Sequence, residues 1–100
     1  MASPKKLDLG PTGERVAANL RRLRERHRGG MSVYEVSKRL EREGVTLQPS
    51  GVSRIERGER RVDVDTLIAL ARVLGVNPSA LLMPLDADRR DMVDVTPATR

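Results

Sequence analysis

The chain has 100 residues, with 19 Lys or Arg against 14 Asp or Glu, one aromatic side chain and no cysteine. That length suits one domain with a small core. The composition leaves no disulfide and no thiolate metal site, and a lone His27 builds neither a zinc centre nor a nucleophilic His/Cys/Ser constellation, so neither an enzyme nor a cofactor is expected.

Residues 1–11 hold three Pro or Gly and two Lys, without helical periodicity, and read as a flexible arm carrying Lys5 and Lys6. Thr12 is placed to cap a first helix, with Glu14 in its first turn. Val16, Leu20 and Leu23 recur at helical spacing until Gly29-Gly30 stops the run. Ser32-Val33-Tyr34-Glu35 matches a capping box, in which the Ser hydroxyl takes the N3 amide and the Glu reaches back. Val33, Val36 and Leu40 make the apolar side of this second helix, which runs to about Glu43 before Gly44. Pro49 suits the first position of a third helix, over about residues 48–57, with Gln48 or Leu47 before it. Val52 and Ile55 are the apolar pair of that helix, and Gly58 ends it. Asp63 is placed to cap a fourth helix, with Asp65 in its first turn; Leu67, Leu70, Ala71 and Leu74 give its apolar face, and Gly75 closes it. Asn77-Pro78 opens a fifth, with Leu81 and Leu82 as candidates for burial. After Pro84 the chain is polar; residues 92–96 alternate as a short strand does, although a disordered tail suits them better.

The expected architecture is therefore all-α, with five short helices in residues 12–83, the arm 1–11 before them and a polar tail 84–100 after. A core of Leu, Val and Ile with a single Tyr argues against single-strand RNA modules, which stack bases on aromatics. The first 13 residues lack the apolar run of a signal peptide, and no stretch approaches the roughly 20 apolar residues of a membrane span, so a cytoplasmic, nucleoid-associated protein without membrane contact is expected.

Charge is unevenly spread: residues 1–61 carry a net +7 and residues 62–100 a net −2. A polyanion docks on a positive half. Of the 19 basic residues 16 are Arg, an excess that codon bias also produces, so charge alone leaves the partner open. The pattern of residues 32–58 narrows it. Ser37 supplies the small residue that a second helix needs where a third presses on it. Val52 and Ile55 hold the third helix down, and its other side reads Gln48, Ser50, Ser53, Arg54 and Arg57. A helix of that composition fits the DNA major groove with its N-terminal residues at base edges.

The stretch GVSRIERGERRVDVDTLIALARVLGVNPSALL resembles the lambda repressor/Cro-type helix-turn-helix domain of the xenobiotic response element regulators, and the likeness extends over about residues 13–83. Its most specific part is V-S-R-I-E-R-G, followed by an L-x-x-L-A-x-x-L-G-V run. Leu20, Leu23 and Arg24 fit the family's pattern in the first helix. One spacing departs: Ser37 and Val52 lie fifteen apart where the family has ten, so five residues near 41–45 lengthen the second helix or the turn.

The resemblance implies a double-stranded DNA-binding transcriptional regulator of the phage or plasmid repressor kind, acting as a homodimer through the fifth helix and the 84–100 tail. It implies base reading by Arg54, against a phosphate contact or a solvated side chain. Ser50 and Gly51 fall near base edges; Ser50 is equally suited to cap the helix, and Gly51 only permits close approach. Gln48 either pairs with adenine or caps. Ser53, Arg57, Arg60 and Arg61 fall on phosphates, as does Ser32 at the start of the second helix. Val33 stands where a DNA-contacting Gln is frequent. Lys38 and Arg39 read as a solvated face, and Arg24 and Glu56 as a structural ion pair. Two other readings keep the fold: an antitoxin whose tail sequesters a toxin, and a protein-interaction module that no longer binds DNA.

Overall fold

The computed structural model describes residues 8–84. They form α1 (Gly10–Arg26), α2 (Val33–Arg42), α3 (Pro49–Glu56), α4 (Val64–Leu74) and α5 (Ser79–Leu82), and no strand occurs among them. Lys5, Lys6 and residues 92–96 lie outside the described residues.

Local chemistry sets most of the boundaries. Asp63 accepts from the Thr66 amide at 2.7 Å and starts α4, and Gly75 ends it. Asn77 Oδ1 accepts from the Ser79 amide at 2.9 Å and turns the chain into α5. Two starts differ from expectation. α1 begins at Gly10, with Leu9 before it and no side-chain cap, so Thr12 lies inside the helix. Pro11 explains the shift, because its fixed φ suits the first turn and its missing N–H is one the helix leaves unbonded there. At α2, Ser32 Oγ accepts from the Glu35 amide at 3.0 Å, but the Glu35 carboxylate does not reach back. It takes Arg39 Nε at 2.9 Å instead, one turn along the helix.

α2 keeps ten residues, so the extra length between it and α3 lies in the turn, residues 43–48. The amides of Glu43 and Val45 both donate to Leu40 O, at 2.8 and 3.0 Å, and close the end of α2. Leu47 then drops into the core, and its carbonyl accepts from buried Ser37 Oγ at 2.6 Å. Ser37 thus anchors the turn that delivers α3.

The core is a single aliphatic cluster in which Leu20, Val36, Leu40, Val52, Ile55, Leu70 and Leu81 are buried, joined by Met31 and Leu47, whose burial the periodicity did not mark. Two polar ties cross it. Arg24 on α1 holds Glu56 on α3 through Nε–Oε2 at 2.6 Å and Nη2–Oε1 at 2.9 Å, and its Nη1 donates to Met31 O at 2.9 Å. Asn19, only 1% exposed, donates from Nδ2 to Leu81 O at 2.9 Å and Met83 O at 2.7 Å, so α1 satisfies carbonyls at the end of α5.

Candidate nucleic-acid interface

α3 has two chemically distinct sides. Gly51, Val52 and Ile55 are buried against the core. Gln48, Ser50 and Arg54 are exposed, and Ser53 is half-buried. Gln48 holds the cap position, but its side chain makes no capping bond. Arg54 is exposed, and its side chain forms no hydrogen bond or ion pair with the described residues.

Gly51 is explained from within the chain. A Cβ there would lie 2.5 Å from Leu47 Cδ1 and 3.2 Å from Arg60 Nη1. The close approach that glycine permits is therefore made by Leu47 and Arg60, and Gly51 faces them rather than solvent. The same geometry lays the Arg60 guanidinium beside the first turn of α3, although Arg60 lies beyond the helix in sequence.

The C-terminal end of α3 is tightly built. Arg57 is the C-cap, and Gly58 follows at φ +76°, a conformation that favours glycine. The Gly58 amide donates to Ile55 O at 3.0 Å and the Glu59 amide to Arg54 O at 2.8 Å, a Schellman closure. The turn brings Glu59 under Arg57: Nε donates to Oε2 and Nη2 to Oε1, each at 3.1 Å. Those hydrogen bonds, and the negative charge behind them, raise the Arg57 pKa above the ordinary arginine value. Glu59 carries no periodicity or capping signal; its one mark in the sequence is a carboxylate two residues past an arginine, across a glycine.

Arg60 and Arg61 are exposed, and Arg61 Nη2 donates to Asp8 O at 3.4 Å, so the start of the described chain lies beside them. Asp63 follows, with its pKa held below the ordinary aspartate value by the Thr66 amide, then by the Thr66 side chain and the Arg60 charge. On α2, Ser32 is exposed with its hydroxyl engaged by the Glu35 amide, and Val33 packs against the core. Arg39 is held by Glu35, and Lys38 Nζ stands 5.6 Å over the Tyr34 ring.

A buried motif of this kind, with one exposed polar side on its second helix, has a counterpart among known families. Residues 20–81 match the sequence model of the helix-turn-helix family of lambda repressor/Cro-type regulators. The chain belongs to this family. It is an all-α, DNA-binding transcription regulator of the xenobiotic response element type. In this regulator α2, the turn and α3 form the helix-turn-helix, and the matched span also takes in α4 whole. No curated protein and no solved structure matches the regulator. Among its described residues, no helix is long and apolar enough to cross a membrane, and no group of three His, Asp or Glu is placed to hold a metal.

Proposed function

We propose that the regulator represses transcription by binding a specific duplex sequence, with α3 in the major groove and Arg54 reading a base. The observation that carries this is the division of α3 into a clamped side, Val52 and Ile55, and an exposed side bearing a charged arginine unpaired among the described residues. Arg54 takes guanine O6 and N7 in bidentate fashion, which discriminates against other bases by about 1–3 kcal/mol. Ser50 and Gln48 reach neighbouring base edges. Ser32, Ser53, Arg60 and Arg61 take phosphates, which add affinity without sequence information. Arg60 is the best supported of these, since its guanidinium lies beside the first turn of α3.

The regulator acts as a homodimer on a pseudo-palindrome whose half-sites are about 10–10.5 bp apart. Its pairing surface is α5 with residues 84–100, of which 85–100 lie outside the described residues. Selection of bound fragments from random duplex DNA tests the reading. Enrichment of one inverted repeat with that spacing is expected; recovery of unrelated sequences would show binding without base reading.

A further inference from the structure

Arg57 lies at the end of α3, and unlike Arg54 and Arg60 its guanidinium is hydrogen-bonded to a carboxylate. Both oxygens of Glu59 are engaged by two different nitrogens of one guanidinium, each at 3.1 Å, which is the planar fork that arginine forms and lysine cannot. The two side chains differ in depth. Glu59 is 13% exposed and Arg57 56% exposed, so the carboxylate lies beneath and the guanidinium faces solvent along its outer edge. The base of the arrangement is rigid, because the Glu59 amide is bonded to Arg54 O and Gly58 turns the chain at positive φ. An arginine has five N–H donors; two are spent on Glu59 and three remain.

We propose that Glu59 is a positioning residue for DNA recognition: its carboxylate holds the Arg57 guanidinium in one orientation and offsets part of its charge. Arg57 then contributes geometric fit to a phosphate at one place on the backbone, with less of the counterion release that drives non-specific affinity. The proposal rests on the reading of α3 as the recognition helix, and it separates Arg57 from Arg60, which forms no ion pair among the described residues.

The separation is measurable as a salt slope. Each phosphate neutralised by a net positive charge steepens the fall of log affinity with log salt by about 0.9. An Arg57 charge offset by Glu59 contributes less than a bare one. Arg60→Ala is therefore expected to flatten the slope by about 0.9 per protomer, and Arg57→Ala by less. Glu59→Gln uncovers the Arg57 charge: the slope steepens by up to about 0.9 per protomer, binding to arbitrary duplex strengthens, and the ratio of selected to arbitrary sequence falls roughly three- to tenfold. Arg57→Lys keeps the charge but not the fork, and lowers the same ratio without steepening the slope.

The experiment is equilibrium binding of the full chain and these four variants to the selected site and to a scrambled duplex, across a salt series, with far-UV melts recorded for each. If Glu59→Gln folds and keeps the wild-type slope and ratio, the proposal is overturned. If it does not fold, Arg57→Lys decides: a lowered ratio supports the positioning role, and an unchanged one overturns it. A wild-type chain with no salt-dependent duplex binding would instead overturn the recognition-helix reading, and Glu59's role with it.

Discussion

Glu56→Gln probes what holds α3 at its angle. The wild-type pair is bidentate, with N–O separations of 2.6 and 2.9 Å, and the side chains are 15% exposed for Arg24 and 8% for Glu56. The hydrogen bonds and charge of Glu56 raise the Arg24 pKa, so the guanidinium is firmly charged. Substitution by Gln keeps the shape and one acceptor oxygen, but it leaves that charge largely buried without a counter-charge, with the Gln amide oxygen and Met31 O at 2.9 Å as its acceptors. Breaking a buried pair from one side costs about 3–5 kcal/mol. For a domain of this size each kcal/mol lowers Tm by roughly 4–8 °C, which makes the drop roughly 12–40 °C. Total stabilities of about 5–15 kcal/mol mean that the variant loses a large share of its stability. Urea unfolding followed by far-UV circular dichroism measures the change, with an unaltered m-value as the sign that only stability has moved. The double variant Arg24→Met with Glu56→Leu has no charge to strand and is expected to recover most of the loss. A loss under about 1 kcal/mol for Glu56→Gln would place the pair among solvent-screened surface bridges and refute the argument.

Other perturbations test separate links. Asn19→Ala removes two hydrogen bonds to the end of α5 and is expected to cost about 1–3 kcal/mol by the same unfolding assay; a change within error would mean those carbonyls find other partners. The Asp63 pKa is lower when folded, so its cap stabilises at neutral pH and is lost as pH falls through the folded value. Tm recorded from pH 7 to pH 3 should therefore decline less steeply for Asp63→Asn, and parallel profiles would remove the cap from the acid response. Arg60→Ala is expected to weaken binding evenly across duplex sequences, and a loss confined to one sequence would make Arg60 a base reader.

Much of the fold is readable because its signals are short-range. Val52 and Ile55 lie three apart on one side of a helix, and Asp63 and Ser32 each bond an amide three residues ahead, so spacing alone finds them. Where a residue has two partners in reach, the pattern does not choose. Glu35 satisfies a capping box on paper, yet Arg39 lies on the same face, and the ion pair forms instead of the return bond. Pro11 likewise competes with Thr12 for the start of α1 and wins through its fixed backbone angle. Longer-range features are invisible to periodicity. Asn19 reads as a polar interruption of an apolar stripe until α5, 62 residues later, supplies its acceptors. The extra five residues between Ser37 and Val52 are recognisable in the sequence, but their place in the turn rather than in α2 is not, nor is the loop that returns Leu47 to the core through Ser37. In the candidate interface, Arg54 was legible as an outward charge. Gly51 and Glu59 were not, because their neighbours Leu47, Arg60 and Arg57 are set by the path of the chain around α3.

The most direct test of the account is the affinity of wild-type and Arg54→Ala chains for the selected site and for each single-base-pair variant of it. The wild type should lose about 1–3 kcal/mol at one guanine in each half-site, and Arg54→Ala should lose nothing further there while still discriminating elsewhere. If Arg54→Ala weakens every duplex by the same factor and keeps the full preference at all positions, Arg54 holds phosphate, and the exposed side of α3 does not read sequence as described.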